Sequence, residues 1–162
     1  MTTEIYNTWG EFHAAFDRIL AQARQRVCIF DGDLAQLGLG HPARIAELQR
    51  LLTNPPLAAT APTLRIALKQ TDHLHREHPR LVALLKHYGH LLAVQQVSDS
   101  LRSLRDTLVI ADDAHTLVRF DLEHPRSKII VEDVEETQPY LQRFEEIWAD
   151  GGALFSPTIL GL

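Results

Sequence analysis

The twenty residues from Leu101 to Phe120, LRSLRDTLVIADDAHTLVRF, constrain this chain more than any other segment. Two apolar runs, TLVIA and TLVRF, flank an Asp112-Asp113 turn, the signature of a strand hairpin. Hairpin strands pair antiparallel. Upstream, apolar runs alternate with amphipathic ones, as in parallel strands joined by helices. The chain therefore predicts a mixed sheet.

The elements follow from local chemistry. Thr8-Trp9-Gly10-Glu11 has the spacing of a capping box, and Phe12, Ala15, Phe16, Ile19, Leu20 and Ala23 follow at helical spacing. VCIF (27–30) reads as a short buried strand closed by the turn-forming Asp31-Gly32-Asp33. His41-Pro42 and His78-Pro79 each open an amphipathic helix, because proline is tolerated where the N–H would be unpaired. Between those helices lie a proline-rich loop, 54–62, and a strand, LRIAL (64–68). After Gly89 the texture becomes strand-rich: LLAVQQV, the two hairpin strands, and SKIIVEDV (127–134) as a fourth. Pro139 is expected to open a last helix with Leu141, Phe144 and Trp148 on one side, ended by Gly151-Gly152.

Composition sets outer limits. A chain of 162 residues forms one domain, 1–162, burying about 70% of its unfolded surface. Residues 153–162 form an apolar tail suited to packing on the body or on a partner chain. The formal net charge of −5 argues against general nucleic-acid binding, which calls for a basic excess. The lone Cys28 sits in an apolar run and has no intrachain partner. No apolar stretch is long enough to span a membrane, and the N-terminus lacks a secretory pattern. A cytoplasmic protein is expected.

The order of elements, with the closing helix carrying RFEEIW, resembles a single repeat of the phospholipase D-like fold. The active family carries His-x-Lys-x4-Asp with the Asp closing a strand. Aligning that Asp with Asp112 puts Arg105 at the His position and Thr107 at the Lys position. The family's chemistry begins with attack by a neutral imidazole. A guanidinium is protonated at any workable pH and has no lone pair to offer. The family's Gly-Ser-x-Asn segment is also missing, since Arg119-Phe120-Asp121-Leu122 follows the hairpin. The resemblance thus implies an α/β fold, a mixed β-sheet flanked by helices on both faces, and a bacterial-type domain whose catalytic motif is degenerate. It implies a homodimer too, because single-repeat members pair two half-sites. An arginine pair, Arg102 and Arg105 beside Asp106, suits forked hydrogen bonds to a phosphate or carboxylate.

Asp31-Gly32-Asp33 supports a rival reading. An Asp-x-Asp after an apolar strand resembles the nucleophile loop of haloacid dehalogenase-like phosphatases, with Asp112-Asp113 standing for that family's magnesium-binding pair. Ala35 departs from that family's Thr or Val, and LRIALK lacks the hydroxyl residue of its second motif. Carboxylates at a strand end also line ligand crevices without catalysis. The densest metal-type group, Asp72-His73-Leu74-His75-Arg76-Glu77-His78, lies before Pro79 and reads as an exposed irregular connector whose imidazoles need not converge.

The expectation is a non-catalytic binding or regulatory domain for an anionic small molecule. Its ligand residues are Arg102, Arg105, Asp106, Asp112, Asp31 and Asp33, with no catalytic residue, metal or cofactor. The alternatives are the magnesium-dependent phosphatase using Asp31 and Asp33, and a protein-interaction module.

Overall fold

The computed structural model describes residues 2–56 and 61–158. Its first half alternates strand and helix. Strand β1 (Thr2–Tyr6) leads into α1 (Trp9–Gln22), then β2 (Val27–Asp31), α2 (Pro42–Thr53) and β3 (Leu64–Leu68). A short helix α3 (Leu74–Glu77) and α4 (Pro79–His87) return the chain to β4 (Leu92–Gln96). The second half is a meander, β5 (Thr107–Ala111), β6 (His115–Asp121) and β7 (His124–Val131), closed by α5 (Val134–Ala149).

All seven strands join one sheet in the order β1-β7-β6-β5-β2-β3-β4. Strands β2, β3 and β4 are parallel, as their helical connections require, whereas β5 runs antiparallel to β2 and to β6. The sheet is mixed and carries helices on both faces, as the sequence predicts. One core packs α1, α2 and α4 against Val27, Ile29, Ile66, Val94, Val109 and Ile129. The opposite core sets Phe144 and Ile147 of α5 against Phe30, Leu108, Ile110 and Val118. This split is the two-residue alternation of each strand made three-dimensional.

Local signals explain most boundaries. The Thr8 hydroxyl accepts from the Glu11 N–H at 3.1 Å while donating to the Glu11 carboxylate, so α1 starts where the capping box puts it. Phe12 and Phe16 are fully buried, a gain of about 1.5–3 kcal/mol each. Two expectations need correction. Helix α5 starts at Val134 and contains Pro139. The Asp133 carboxylate accepts from the Glu136 N–H at 3.0 Å, and acids in the first turn suit the helix dipole; together they outweigh the one hydrogen bond that Pro139 forfeits. The first strand went unread because TTEIY carries only two apolar residues; its pairing with β7 defines it.

The polypeptide after α5 turns back along β4. The Gly152 N–H donates to the Gln96 carbonyl at 2.9 Å, the Gln96 N–H to the Ala153 carbonyl at 3.0 Å, and the Phe155 N–H to the Val94 carbonyl at 2.8 Å. The described part of the apolar tail therefore packs on the body. Residues 159–162 lie outside the described residues.

Candidate functional site

The parallel strands β2, β3 and β4 end on one edge of the sheet, and β5 begins there. Ligands of α/β sheets favour such an edge. A pocket of about 290 Å³ opens at this edge, lined among others by Asp31, Gly32, Asp33, Lys69, Gln70 and Arg119. A neighbouring cavity of about 310 Å³ shares Gln70 and adds Thr71, Asp72, Gln96 and Arg102.

The back of the pocket is a buried polar triad. Thr107, the first residue of β5, lies in register with Arg119 of β6. The Thr107 hydroxyl donates to the Asp31 carboxylate and accepts from Arg119 Nη2 at 3.0 Å. Arg119 is fully buried, its Nη2 lying 3.6 Å from Asp31 Oδ1. Its Nη1 donates to the Asp121 and Leu122 carbonyls at 3.0 and 2.8 Å. The guanidinium stacks 5.1 Å from the Trp9 ring and 5.2 Å from the Phe12 ring. Burial pulls its pKa below the ordinary arginine value, opposed by the charge of Asp31. An arginine stays charged through such a shift, so Asp31 is the counterion that makes burial tolerable. Arg119 Nε has no hydrogen-bond partner among the described residues.

The loop after Asp31 is held in an unusual conformation. Leu34 has φ of +71°, rare for a residue with a side chain. Its N–H donates to the second Asp31 oxygen at 2.8 Å. Asp33 accepts from the Ala35 N–H at 3.0 Å, and its carbonyl accepts from His73 Nε2 at 2.8 Å. Local strain of this kind concentrates at binding sites.

At the mouth, Lys69 follows β3, and its ammonium has no hydrogen-bond or ion-pair partner among the described residues. Burial lowers its pKa first and the nearby Arg105 charge lowers it further, opposed by the Asp106 and Asp31 carboxylates. Arg105 itself is half exposed and grips Asp121 through Nε at 2.9 Å and Nη2 at 3.1 Å. That pair holds the Asp121 carboxyl down at about 2.

The structure sorts the six sequence-predicted ligand residues. Asp31 and Asp33 line the pocket, and Arg105 stands at its rim beside Lys69. Arg102 lines the adjoining cavity and pairs with Asp99 at 3.2 Å. Asp106 sits on the same edge but is taken by Arg143 of α5. Asp112 is elsewhere. It lies at the far end of β5, roughly 20 Å from Arg105 at the rise of an extended strand, and its carboxylate accepts from the N–H groups of Arg24, Gln25 and Arg26. Asp113 pairs there with Arg26. This separation removes the phosphatase reading, because Asp31 and the Asp112-Asp113 pair sit at opposite ends of β2 and cannot share one magnesium ion. Residues missed in the sequence are Lys69, Thr107 as a partner of Asp31, and Arg119. His90 and His115 also belong to the far end, and His115 Nδ1 accepts from the Glu132 N–H at 3.0 Å.

The connector before Pro79 differs from expectation. Residues 74–77 form a helical turn, bringing together His73, Glu77 and His78. His73 and His78 are buried, and both ring nitrogens of His78 lack a hydrogen-bond partner among the described residues. Burial and the adjacent His73 hold the His78 pKa below the ordinary histidine value; the Asp33 carbonyl, already taken by His73, only partly opposes this.

Architecture and edge site together define an α/β domain of phospholipase D-like fold. The chain belongs to the family described as a domain of unknown function (DUF7931), whose model matches residues 8–154. Among solved structures it is similar to Nuc, a phospholipase D family member from Salmonella typhimurium, at 10% identity and a TM-score of 0.63, covering 96% of this chain and 98% of Nuc. It is similar to NucT from Helicobacter pylori at 10% identity and a TM-score of 0.60, covering 93% and 97%. It is also similar to TrmBL2, an archaeal chromatin protein with a novel mode of DNA binding, at 13% identity and a TM-score of 0.65; that match covers 93% of this chain but spans only 54% of TrmBL2. No curated protein matches.

The last likeness corrects the expectation that nucleic acid is excluded, since a DNA-binding protein carries this fold. Net charge sums over the whole surface, whereas phosphate contacts depend on local cations. Lys69, Arg102, Arg105 and Arg119 lie on one edge of this acidic chain; Arg102, Arg105 and Arg119 are paired with Asp99, Asp121 and Asp31, and Lys69 has no ion pair among the described residues. Among the described residues no helix is long and apolar enough to cross a membrane.

Proposed function

We propose that this domain is a non-catalytic binding module that takes a phosphate-bearing ligand at the pocket mouth, between Lys69 and Arg105. The observation that carries this reading is the Lys69 ammonium: it is partly desolvated, makes no hydrogen bond or ion pair among the described residues, and lies near a second cation, Arg105, while the nearby Asp106 and Asp31 carboxylates are engaged by other groups. An anion at that point would offset the repulsion between the two cations, and Arg105, whose Nε and Nη2 already hold Asp121, would add its remaining Nη1 donors. Asp31, Asp33 and Arg119 then form the wall that shapes the pocket.

The residues around the triad support a non-catalytic role. Alignment puts Arg105 and Thr107 at the positions of the family's nucleophile and lysine, and the pocket-lining residues include no imidazole. Arg119, reaching over from β6 to Thr107, supplies a fixed positive charge close to where the family's lysine ammonium would stand. Asp31 balances that charge, so what is kept is a cation at that place without the nucleophile. The DNA-binding likeness makes a nucleic-acid backbone one source of that phosphate, beside a free nucleotide. A cytoplasmic, bacterial setting belongs to the same proposal.

Isothermal titration with inorganic phosphate, a mononucleotide and a short single-stranded oligonucleotide tests this. Binding of at least one is expected, weakened at least about tenfold in Lys69→Met and falling with added salt. An affinity unchanged in a Lys69→Met/Arg105→Ala double variant overturns the site. Turnover of bis-p-nitrophenyl phosphate that disappears in Asp31→Asn overturns the non-catalytic reading.

A further inference from the structure

We infer that His73, Glu77 and His78 form a binding site for a divalent transition-metal ion, with zinc the best chemical match. The site is independent of the anion pocket reading. One ligand atom from each residue lies within 4.8 Å of the others. Tetrahedral zinc with nitrogen and oxygen ligands at about 2.0–2.1 Å needs them roughly 3.4 Å apart. Closure therefore asks for at most about 1.4 Å between any two of them, shared between small ring movements and the half-exposed Glu77 side chain, which would leave its 3.4 Å pair with Arg76.

Two observations point to a ligand. His78 is 94% buried, yet neither ring nitrogen has a hydrogen-bond partner among the described residues. Buried polar atoms without partners are uncommon and call for a missing partner. His73 Nε2 donates to the Asp33 carbonyl at 2.8 Å, which fixes the tautomer and leaves Nδ1 as the nitrogen with a lone pair to offer a metal. The rings of His73 and His78 meet edge to face at 5.7 Å, a geometry that lets both present a nitrogen to one point. Two imidazoles and a carboxylate leave the fourth position for water.

The Asp33 carbonyl joins this cluster to the loop Asp31-Gly32-Asp33-Leu34. A metal on His73 would stiffen that loop through a single hydrogen bond. The role inferred is structural: the ion sets the backbone of the pocket wall and touches no pocket ligand.

Titration of tag-free, chelator-treated protein with ZnCl2 tests the site, with Co2+ absorption as a second readout. One equivalent should bind, with tetrahedral cobalt bands and a rise in thermal midpoint. His73→Ala/His78→Ala should abolish binding. Because that variant alters buried residues, Glu77→Gln at the half-exposed ligand serves as the folded test and should weaken zinc at least about tenfold. His124→Ala, in the exposed Asp121/Glu123/His124 group, should leave it unchanged. No zinc uptake by the wild type, or uptake that survives Glu77→Gln and the double variant alike, overturns the inference.

Discussion

Strand β5 ends in two acidic sites that solve opposite problems. At its far end, Asp112 receives three backbone N–H groups and closes the α1–β2 corner onto the hairpin, while Asp113 is paired with Arg26. Both carboxylates there have their partners inside the chain. At the near end, Asp31 is spent on Thr107, Leu34 and Arg119, but Lys69 and Arg119 Nε are left over. A site whose donors are all used internally builds structure; a site with donors to spare can hold something else.

Several substitutions would break or sharpen this contrast. The largest effect is expected from Asp31→Ala, which strands a fully buried guanidinium. Loss of a buried counterion costs about 3–5 kcal/mol, read as the urea unfolding midpoint. The Asp31→Asn/Arg119→Met double variant should recover much of that loss; if it is no better than Asp31→Ala, the triad is not an ion-pair unit. Asp112→Ala comes next, at about 2–3 kcal/mol for hydrogen bonds to a charged acceptor. Anion affinity should be unaffected there, and a change in it would mean the two ends are coupled. Lys69→Met should move stability by no more than about 0.5 kcal/mol while weakening anion binding at least about tenfold.

The smallest effect concerns Arg105 and Asp121. Asp121 falls from an ordinary 3.8 to about 2 when folded, chiefly through its hydrogen bond from Arg105. A lowered carboxyl pKa stabilises the fold above the unfolded value, and that contribution fades as pH drops from about 4 to about 2. In Arg105→Ala the Asp121 titration, followed by NMR, should move back toward the ordinary carboxylate range, and added salt should do part of the same in the wild type.

Much of the fold was legible because its strands are short, apolar and bounded by turn residues: VCIF, LRIAL, TLVIA and TLVRF all lie where the pattern puts them. The site was only half legible. Asp31, Asp33 and Arg105 flank strand ends, so residue type and position suffice to find them. Asp112 misled because distance along the sequence does not say which edge of the sheet a strand end reaches. Arg119 carried a signal that went unused, since it alternates with the inward Leu117, and an inward arginine needs a counterion. Identifying Asp31 as that counterion takes the pairing of β5 with β2, which no local pattern encodes. The His73–His78 segment looked irregular because four residues are too few for a helical period to show.

The return of residues 152–155 along β4 has a consequence for how copies of this protein coexist. Strand β4 is the outer member of the parallel group, and a bare outer strand is a template on which another chain can add itself. With part of its ladder already occupied by its own polypeptide, that border offers little for a neighbour to extend, and removing the last dozen residues should turn a well-behaved solution into one that clumps on warming.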